Sequence, residues 1–148
     1  MRKTDATYIG PEITDREVFD RLPSALRKVL TENNGFILFE GGFHIRGACT
    51  EPVWHSLREV WMGTNALHHL FPIIQQSDVP FGEDCVGDQF LLRNDVVIKL
   101  FSETGELESL NIGLDDFLQK AERNPLEYLG LHPLIQFQKD GGNLRPGE

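Results

Sequence analysis

The spacing of apolar residues predicts helices near the start of the chain. From position 14 onward, apolar residues recur every three or four positions, the period of one helical face. We expect this helix to begin at Thr14, because Glu17 completes capping-box spacing. Pro23 interrupts the pattern and is expected to begin a second helix, which Gly35 ends. Residues 1–13 show no such period, so a partly ordered lead-in is predicted there.

Short apolar runs predict strands on both sides of a helical middle region. Residues 36–40 and 43–46 are predicted strands joined by a glycine turn. A helix is expected from about Pro52, followed by a further helical turn at 65–70 and a strand at 71–76. The predicted inner face of the first of these helices comprises Val53, Leu57, Val60 and Trp61.

The most regular β pattern lies in the second half of the chain. Residues 89–93, 96–101 and 107–112 predict three strands joined by tight turns, which makes them antiparallel neighbours in a meander. Gly113 is expected to cap a following helix, with Asp115 in its first turn. The whole pattern predicts an α+β fold, a mostly antiparallel sheet with helices packed around it.

Length and composition indicate one domain of ordinary character. The 148 residues are predicted to form a single domain, with a core at about 14–130 and an irregular tail at 131–148. No apolar run approaches the roughly 20 residues of a membrane helix, and no apolar segment follows the basic start. We therefore expect a cytoplasmic protein with no membrane association.

Negative charge is concentrated in residues 78–116 of the chain. Ten of its residues are acidic: Asp78, Glu83, Asp84, Asp88, Asp95, Glu103, Glu106, Glu108, Asp115 and Asp116. Only Arg93 and Lys99 are basic there, so the segment carries most of the formal net charge of -9. This argues against a nucleic-acid partner and is compatible with a basic protein partner. A solvated face that keeps the protein soluble is the simpler alternative.

The stretch at 80–92 concentrates candidate chemistry in a predicted loop that leads into a strand. Its glycines are followed by Asp88 and Gln89, whereas a phosphate-binding loop requires Lys and Ser or Thr. Glu83, Asp84 and Asp88 are oxygen ligands that suit Ca²⁺ or Mg²⁺, but the EF-hand pattern is absent. Aspartates in such loops more often bind their own backbone. We predict no metal site and no cofactor here.

Cysteine, histidine and tryptophan residues give no catalytic pattern. Cys49 and Cys85 are isolated, and the carboxylates around Cys85 disfavour a reactive thiolate. The five histidines lack zinc-ligand spacing, so solvated or core histidines are expected. Trp54 and Trp61 are seven positions apart on the predicted helix. Core packing is the favoured explanation for both, and an interface anchor is the alternative for Trp54.

The order of several short motifs resembles the SUKH superfamily, proteins similar to the yeast regulator of cell-wall synthesis. Leu22-Pro23 opens a helix that ends in Asn34-Gly35, and a tryptophan-bearing segment follows. Then come Val79-Pro80-Phe81-Gly82-Glu83-Asp84-Cys85-Val86-Gly87-Asp88-Gln89-Phe90-Leu91, the turn Glu103-Thr104-Gly105-Glu106 and the helix with Asp116-Phe117-Leu118. The resemblance covers residues 18–129, and the tail after Gly130 extends beyond it.

The resemblance implies a SUKH-like α+β fold and a non-enzymatic role. Bacterial members commonly act as immunity proteins that bind and neutralise toxins, many of them nucleases. With the acidic bias, this predicts a monomer or weak homodimer that binds a basic cognate toxin. The predicted contact residues are Asp78, Glu83, Asp84, Asp88, Asp95, Glu103, Glu106, Glu108 and Trp54. A regulatory scaffold for a cellular partner and, less favoured, a metal-dependent enzyme are the alternatives.

Overall fold

The computed structural model describes residues 6–125, apart from the side chain of Glu40. Within this range lie seven strands: β1 (Ala6–Ile9), β2 (Phe36–Leu38), β3 (Phe43–Ile45), β4 (Val79–Asp84), β5 (Gln89–Arg93), β6 (Val96–Phe101) and β7 (Glu106–Ser109). The five α-helices of the same range are α1 (Arg16–Arg21), α2 (Ser24–Glu32), α3 (Leu57–Trp61), α4 (Leu67–Leu70) and α5 (Leu114–Arg123). The predicted tail at 131–148 and the last residues of the predicted core lie outside this range.

All seven strands form one antiparallel sheet in chain order, β1 to β7. The predicted meander of β5, β6 and β7 is confirmed, with Leu91 opposite Ile98 and Lys99 opposite Glu108. The turn between β5 and β6 places Asn94 in the left-handed region at φ 50°. The protein is therefore of the α+β class, as the apolar pattern predicts.

The main hydrophobic core lies between one face of the sheet and helices α1, α2, α3 and α5. Because side chains alternate along a strand, the strand residues that point into this core are Phe36, Leu38, Phe43, Ile45, Val79, Phe81, Phe90, Leu92 and Val97. Its centre is a group of aromatic rings in which Phe117 of α5 contacts Phe43, Phe81 and Phe90 at centroid distances of 4.9 to 6.0 Å. These four side chains are fully buried.

A smaller cluster covers part of the opposite face. Leu91, Ile98 and Leu100 point to this side and pack beneath Leu67 of α4 and Ile74. The same face continues across β3 and β4, where His44 and Glu83 lie opposite each other. One face of the sheet thus carries the main apolar core, and the other carries polar side chains beside a smaller apolar cluster.

The predicted lead-in at 1–13 is wrong for its second half. Residues 6–9 form β1, which pairs with β2 through Ala6 opposite Leu38 and Ile9 opposite Phe36. The strand is short, irregular and exposed on alternate residues, so it carries little apolar signal. Its stability comes from the hydrogen bonds of β2, which local sequence does not reveal.

The first helix begins one residue later than predicted. Asp15, and not Thr14, is the cap residue, and its carboxylate accepts a hydrogen bond from the Val18 backbone at 3.3 Å. Asp15 is buried, and its other partner is the guanidinium of Arg58 at 2.6 Å. The tertiary ion pair with Arg58 therefore selects the cap in place of the local capping box. Gly35 has φ 81° and ends this helical region as predicted.

The predicted continuous helix from Pro52 is broken into two pieces. A 3₁₀ helix at Val53–His55 is followed by extended backbone at Ser56, and only then does α3 begin. Val53 is 59% exposed and so does not belong to an inner face. Consequently Trp54 and Trp61 do not share a helix face. Trp61 is buried, whereas Trp54 is exposed.

Around the acidic stretch, the structure has turns where a strand is predicted and a strand where a loop is predicted. Residues 71–76, predicted as a strand, form turns. The first part of the predicted loop is strand β4, which pairs with both β3 and β5. Pro80 and Gly82 are tolerated because the β4–β5 pairing is irregular between Val79 and Gly82. Residues 85–88 alone form the turn of the hairpin.

Candidate functional site

The structure separates the predicted contact residues into buried and exposed groups. Asp78 is 2% exposed, and its carboxylate forms a two-point ion pair with Arg93, at 2.8 Å to Nε and 2.6 Å to the terminal nitrogen. It also accepts a hydrogen bond from the Gln75 backbone at 2.8 Å. Asp78 therefore holds the approach to β4 in place, and its carboxylate is not presented at the surface.

Asp84 and Asp88 stabilise the β4–β5 hairpin. The buried carboxylate of Asp84 accepts hydrogen bonds from the backbones of Val86 and Asp88, at 3.1 and 3.0 Å. Asp88 accepts from the backbone and hydroxyl of Ser102 on the next turn. The Lys99 ammonium lies 3.6 Å from Asp84 and 3.9 Å from Asp88. The expectation that aspartates in this stretch bind nearby backbone is thus confirmed.

Burial shifts the pKa of the Asp84 carboxyl. Removal of its carboxyl from water raises the pKa above the ordinary value, and the nearby Lys99 ammonium opposes this shift. One of its oxygens, Oδ2, is buried and accepts no hydrogen bond among the described residues, so Lys99 at 3.6 Å is its compensating charge. Both basic residues of the segment 78–116 are therefore directed at interior carboxylates.

The remaining predicted acids lie at the surface. Asp95 occupies the β5–β6 turn, Glu103 the β6–β7 turn, and Glu106 and Glu108 the edge strand β7. All four are exposed. We call these four residues the acidic edge. They lie along the β6–β7 border of the sheet, with Asp95 and Glu103 at opposite ends of β6 and with Glu106 and Glu108 on the outer strand.

Trp54 lies away from the acidic edge. Its ring contacts Tyr8 of β1 at a centroid distance of 4.9 Å, and His44 and His55 at 5.6 Å each. It is 39% exposed. The strand that it covers, β3, is four strand spacings from β7, which is roughly 19 Å. Trp54 and the acidic edge therefore do not form one compact contact surface.

Glu83 belongs to a line of polar groups that the sequence did not predict, which we call the histidine chain. The Asn34 carbonyl oxygen lies 2.8 Å from His55 Nε2, and His55 Nδ1 lies 2.8 Å from His44 Nε2. His44 Nδ1 is then 3.2 Å from Glu83 Oε1. Both imidazoles are buried, at 0% exposure for His55 and 6% for His44. The histidine chain links the end of α2, the 3₁₀ helix at Val53–His55, β3 and β4.

A second set of contacts binds the other Glu83 oxygen. The buried guanidinium of Arg46 lies 3.4 Å from Glu83 Oε2 and donates to Gln89 Oε1 at 2.7 Å. Gln89 in turn donates to Glu83 Oε2 at 3.3 Å. Arg46 also donates to the Pro80 carbonyl at 2.9 Å. Glu83 is thus placed between a histidine on one side and an arginine with a glutamine on the other.

Three glycines make room for the ring of His55. A Cβ atom on Gly10, Gly35 or Gly47 would stand within 2.8 Å of this imidazole, which is too close for any side chain. The Asn34 side chain holds the same region by bonding both backbone groups of Ala48, at 2.7 and 3.2 Å. His55 is therefore held on several sides by backbone. Glycines at 10, 35 and 47 were the only sequence signal for this site, and none of them is near His55 in the chain.

Electrostatics in the histidine chain favour an ionised Glu83. Hydrogen bonds from His44 and Gln89 and the charge of Arg46 lower the pKa of the Glu83 carboxyl to about 2, although burial acts in the opposite direction. Burial lowers the pKa of His44, and it lowers that of His55 to about 4. A carboxylate and an arginine thus carry the permanent charges of the group.

The two cysteines differ in burial. Cys49 is fully buried, and burial raises the pKa of its thiol to about 11. Cys85 lies half-buried in the hairpin turn.

Among residues 6–125, no group of three His, Cys, Asp or Glu side chains has a geometry that suits a metal ion.

A cleft of about 620 Å³ opens between α1, α3 and α4. Its walls include Arg21, Trp61, Met62, His68 and His69. None of the predicted contact residues lines it. It therefore lies apart from both the acidic edge and the histidine chain.

Comparison of the chain with known protein families, with curated proteins and with solved structures gave no match. The class that the fold defines is an α+β protein with a seven-stranded antiparallel meander. In the part of the chain that the structure describes, no helix has the length and apolar character needed to cross a lipid bilayer.

Proposed function

We propose that this chain is a SUKH-like, non-enzymatic protein-binding domain that neutralises a basic cognate toxin by covering part of its surface. The α+β class and the antiparallel sheet agree with what the resemblance implies. The proposed contact surface is now the acidic edge. Asp78, Glu83, Asp84 and Asp88 are outside this surface, because their carboxylates have partners inside the protein.

One observation carries this proposal. Within the segment 78–116, both basic side chains are used by interior acids: Arg93 binds Asp78, and Lys99 lies between Asp84 and Asp88. The carboxylates of the acidic edge keep no basic partner from this segment. A surface of four such carboxylates favours association with a positively charged protein.

The mechanism follows from this charge distribution. Long-range attraction orients the partner toward β7, and carboxylates then occupy basic groups that a nuclease toxin would use for nucleic-acid phosphates. Among residues 6–125, β7 is the edge strand of the sheet, so its outer backbone groups lie beside Glu106 and Glu108. The partner is a basic protein, and the chain acts as a monomer or weak homodimer in the cytoplasm.

A regulatory scaffold for a basic cellular partner is the second candidate, since the same surface suits it. The two roles differ in what the partner does to the cell. Co-expression with the product of the neighbouring gene separates them: an immunity protein restores growth when that product is toxic, and a scaffold has no toxic product to neutralise.

The contact surface is tested with matched charge variants. The first neutralises the acidic edge with Asp95→Asn, Glu103→Gln, Glu106→Gln and Glu108→Gln. The control neutralises four exposed acids elsewhere with Asp20→Asn, Glu32→Gln, Glu51→Gln and Glu59→Gln. Both remove four charges, so a general charge effect is the same in each. We expect a basic partner captured from the native host to be lost by the first variant and retained by the control.

A further inference from the structure

The histidine chain has one end whose hydrogen-bonding role is fixed. A backbone carbonyl only accepts, so the Asn34 oxygen requires a proton on His55 Nε2 at 2.8 Å. A neutral His55 then has a lone pair on Nδ1, which must accept from His44 Nε2–H at 2.8 Å. In a neutral His44 this leaves a lone pair on Nδ1, directed at the Glu83 carboxylate at 3.2 Å.

The three contacts of the histidine chain need one proton more than two neutral imidazoles supply. The chain contains three contacts, and each requires one proton between its two heavy atoms. Two neutral imidazoles supply only two. With Glu83 ionised, the third proton makes one ring an imidazolium. Because the Asn34 carbonyl fixes the opposite end of the chain, this proton lies between His44 Nδ1 and Glu83 Oε1.

The groups around His44 determine how firmly this proton is held. Glu83 on β4 attracts it, while Arg46 at the end of β3 and the second ring, His55, oppose a further positive charge. Tyr8 of β1 contacts His55 edge-on at 5.0 Å. Gln89 of β5 contacts Glu83 and carries no charge. Burial and these charges together lower the pKa of His44. The pair therefore loses this proton at a lower pH than an ordinary imidazole does.

Glu83 has two other partners that remain when the proton leaves. Its Oε2 already contacts Gln89 at 3.3 Å and Arg46 at 3.4 Å, and its side chain is 31% exposed. The His44–Glu83 contact is the longest of the three contacts in the histidine chain, and it is the one that water can reach. Loss of the proton to water would place two lone pairs face to face at this contact and nowhere else in the chain.

We propose that Glu83 is a proton-operated switch, in contact with His44, Arg46 and Gln89 together when the pair holds the third proton and with Arg46 and Gln89 alone when it does not. The arrangement in the structure, with His44 Nδ1 3.2 Å from Glu83 Oε1, corresponds to the protonated state. Trp54 reports the change, because its ring lies 5.6 Å from both imidazoles. The switch thus couples pH to the surface formed by the 3₁₀ helix at Val53–His55.

The ring nitrogens of ¹⁵N-labelled protein report the switch directly. Long-range ¹H–¹⁵N NMR spectra recorded from pH 8 to pH 4 distinguish an imidazolium from either neutral tautomer. We expect His44 to carry a proton on Nε2 alone at high pH and on both nitrogens at low pH. His55 should keep its proton on Nε2 throughout the upper part of this range.

Glu83→Gln is the decisive variant. A glutamine amide donates to the His44 Nδ1 lone pair, so the three contacts are complete with two neutral rings and no extra proton. We expect His44 of E83Q to bind a proton about tenfold more weakly, a midpoint about one pH unit lower, because the carboxylate charge is gone. Glu59→Gln, on an exposed part of α3, is the matched control and should titrate like the wild type.

Two results would overturn the proposal. The first is a neutral His44 with its proton on Nδ1 in the wild type at high pH, since the break would then lie elsewhere in the chain. The second is an equal His44 midpoint in E83Q and wild type. If E83Q fails to fold, the tautomers of the wild type alone decide. Trp54 fluorescence should change at the His44 midpoint, and Trp54→Phe should abolish that change.

Discussion

The carboxylates of Asp78 and Asp95 have different structural roles in this protein. Asp78 is buried against Arg93, with two hydrogen bonds below 3 Å. Asp95 is exposed in a turn with φ 65°, a conformation that Asp and Asn adopt more readily than other residues with a side chain. The same residue type is therefore part of the packing at one position and part of the surface charge at the other.

Asp78→Asn tests this difference in stability. The substitution leaves Arg93 without its carboxylate partner, so we expect a loss of about 3 kcal/mol in the free energy of unfolding. Urea denaturation followed by circular dichroism measures it. Asp95→Asn is the control and should lie within about 0.5 kcal/mol of the wild type. A loss below about 1 kcal/mol for Asp78→Asn would contradict a structural role for the ion pair.

Strand β4 explains why the candidate site was only partly predictable. Pro80, Gly82 and two consecutive acids are typical of loops, and nothing local indicates that β3 and β5 pair with them on both sides. The antiparallel meander of β5 to β7 was predictable, because its turns are short and β5 and β6 are apolar runs. The histidine chain was not, because its four residues come from separate elements and meet only after the sheet forms.

Helix α5 is an element whose role the sequence predicted well. Its cap at Gly113 and its buried face, with Leu114, Phe117, Leu118 and Ala121, are as expected. The apolar period identified these positions because one face of the helix packs on the sheet along its whole length. The length and break of the segment at 53–61 were missed, since both depend on the burial of His55 among backbone atoms.

Phe117→Ala tests the packing of α5. The ring contacts three other phenylalanines in the core, so its removal leaves a cavity that these rings cannot fill. We expect a loss of about 4 kcal/mol in unfolding free energy, measured by urea denaturation. Gln119→Ala, on the exposed side of the same helix, should change it by less than about 0.5 kcal/mol.

At the scale of the whole molecule, the buried histidine chain makes stability depend on pH. The pKa of His55 falls from 6.5 in the unfolded chain to about 4 in the folded protein. Between these values the unfolded state binds a proton that the folded state does not, so acidification favours unfolding. Glu83 acts at lower pH: its pKa falls from 4.5 to about 2 on folding, so its stabilising contribution is lost as pH falls through this range.

We therefore expect the unfolding free energy to decrease as the pH falls from 6.5 to 4, with His55 contributing about 3 kcal/mol of the decrease. Urea denaturation at half-unit pH steps measures this. His69→Asn, at an exposed histidine, is the control and should leave the slope unchanged. A stability that is constant from pH 6.5 to 4 would contradict a buried neutral His55.

The acidic edge is the central claim, and the association rate constant with the captured basic partner tests it most directly. Exposed charges are screened over about 10 Å at 0.1 M salt. We predict that the wild-type rate constant falls about tenfold between 0.05 and 0.5 M salt. The acidic-edge variant should associate slowly at every salt concentration, and the Asp20, Glu32, Glu51 and Glu59 control should behave as the wild type. Equal rates for the two variants would contradict the claim.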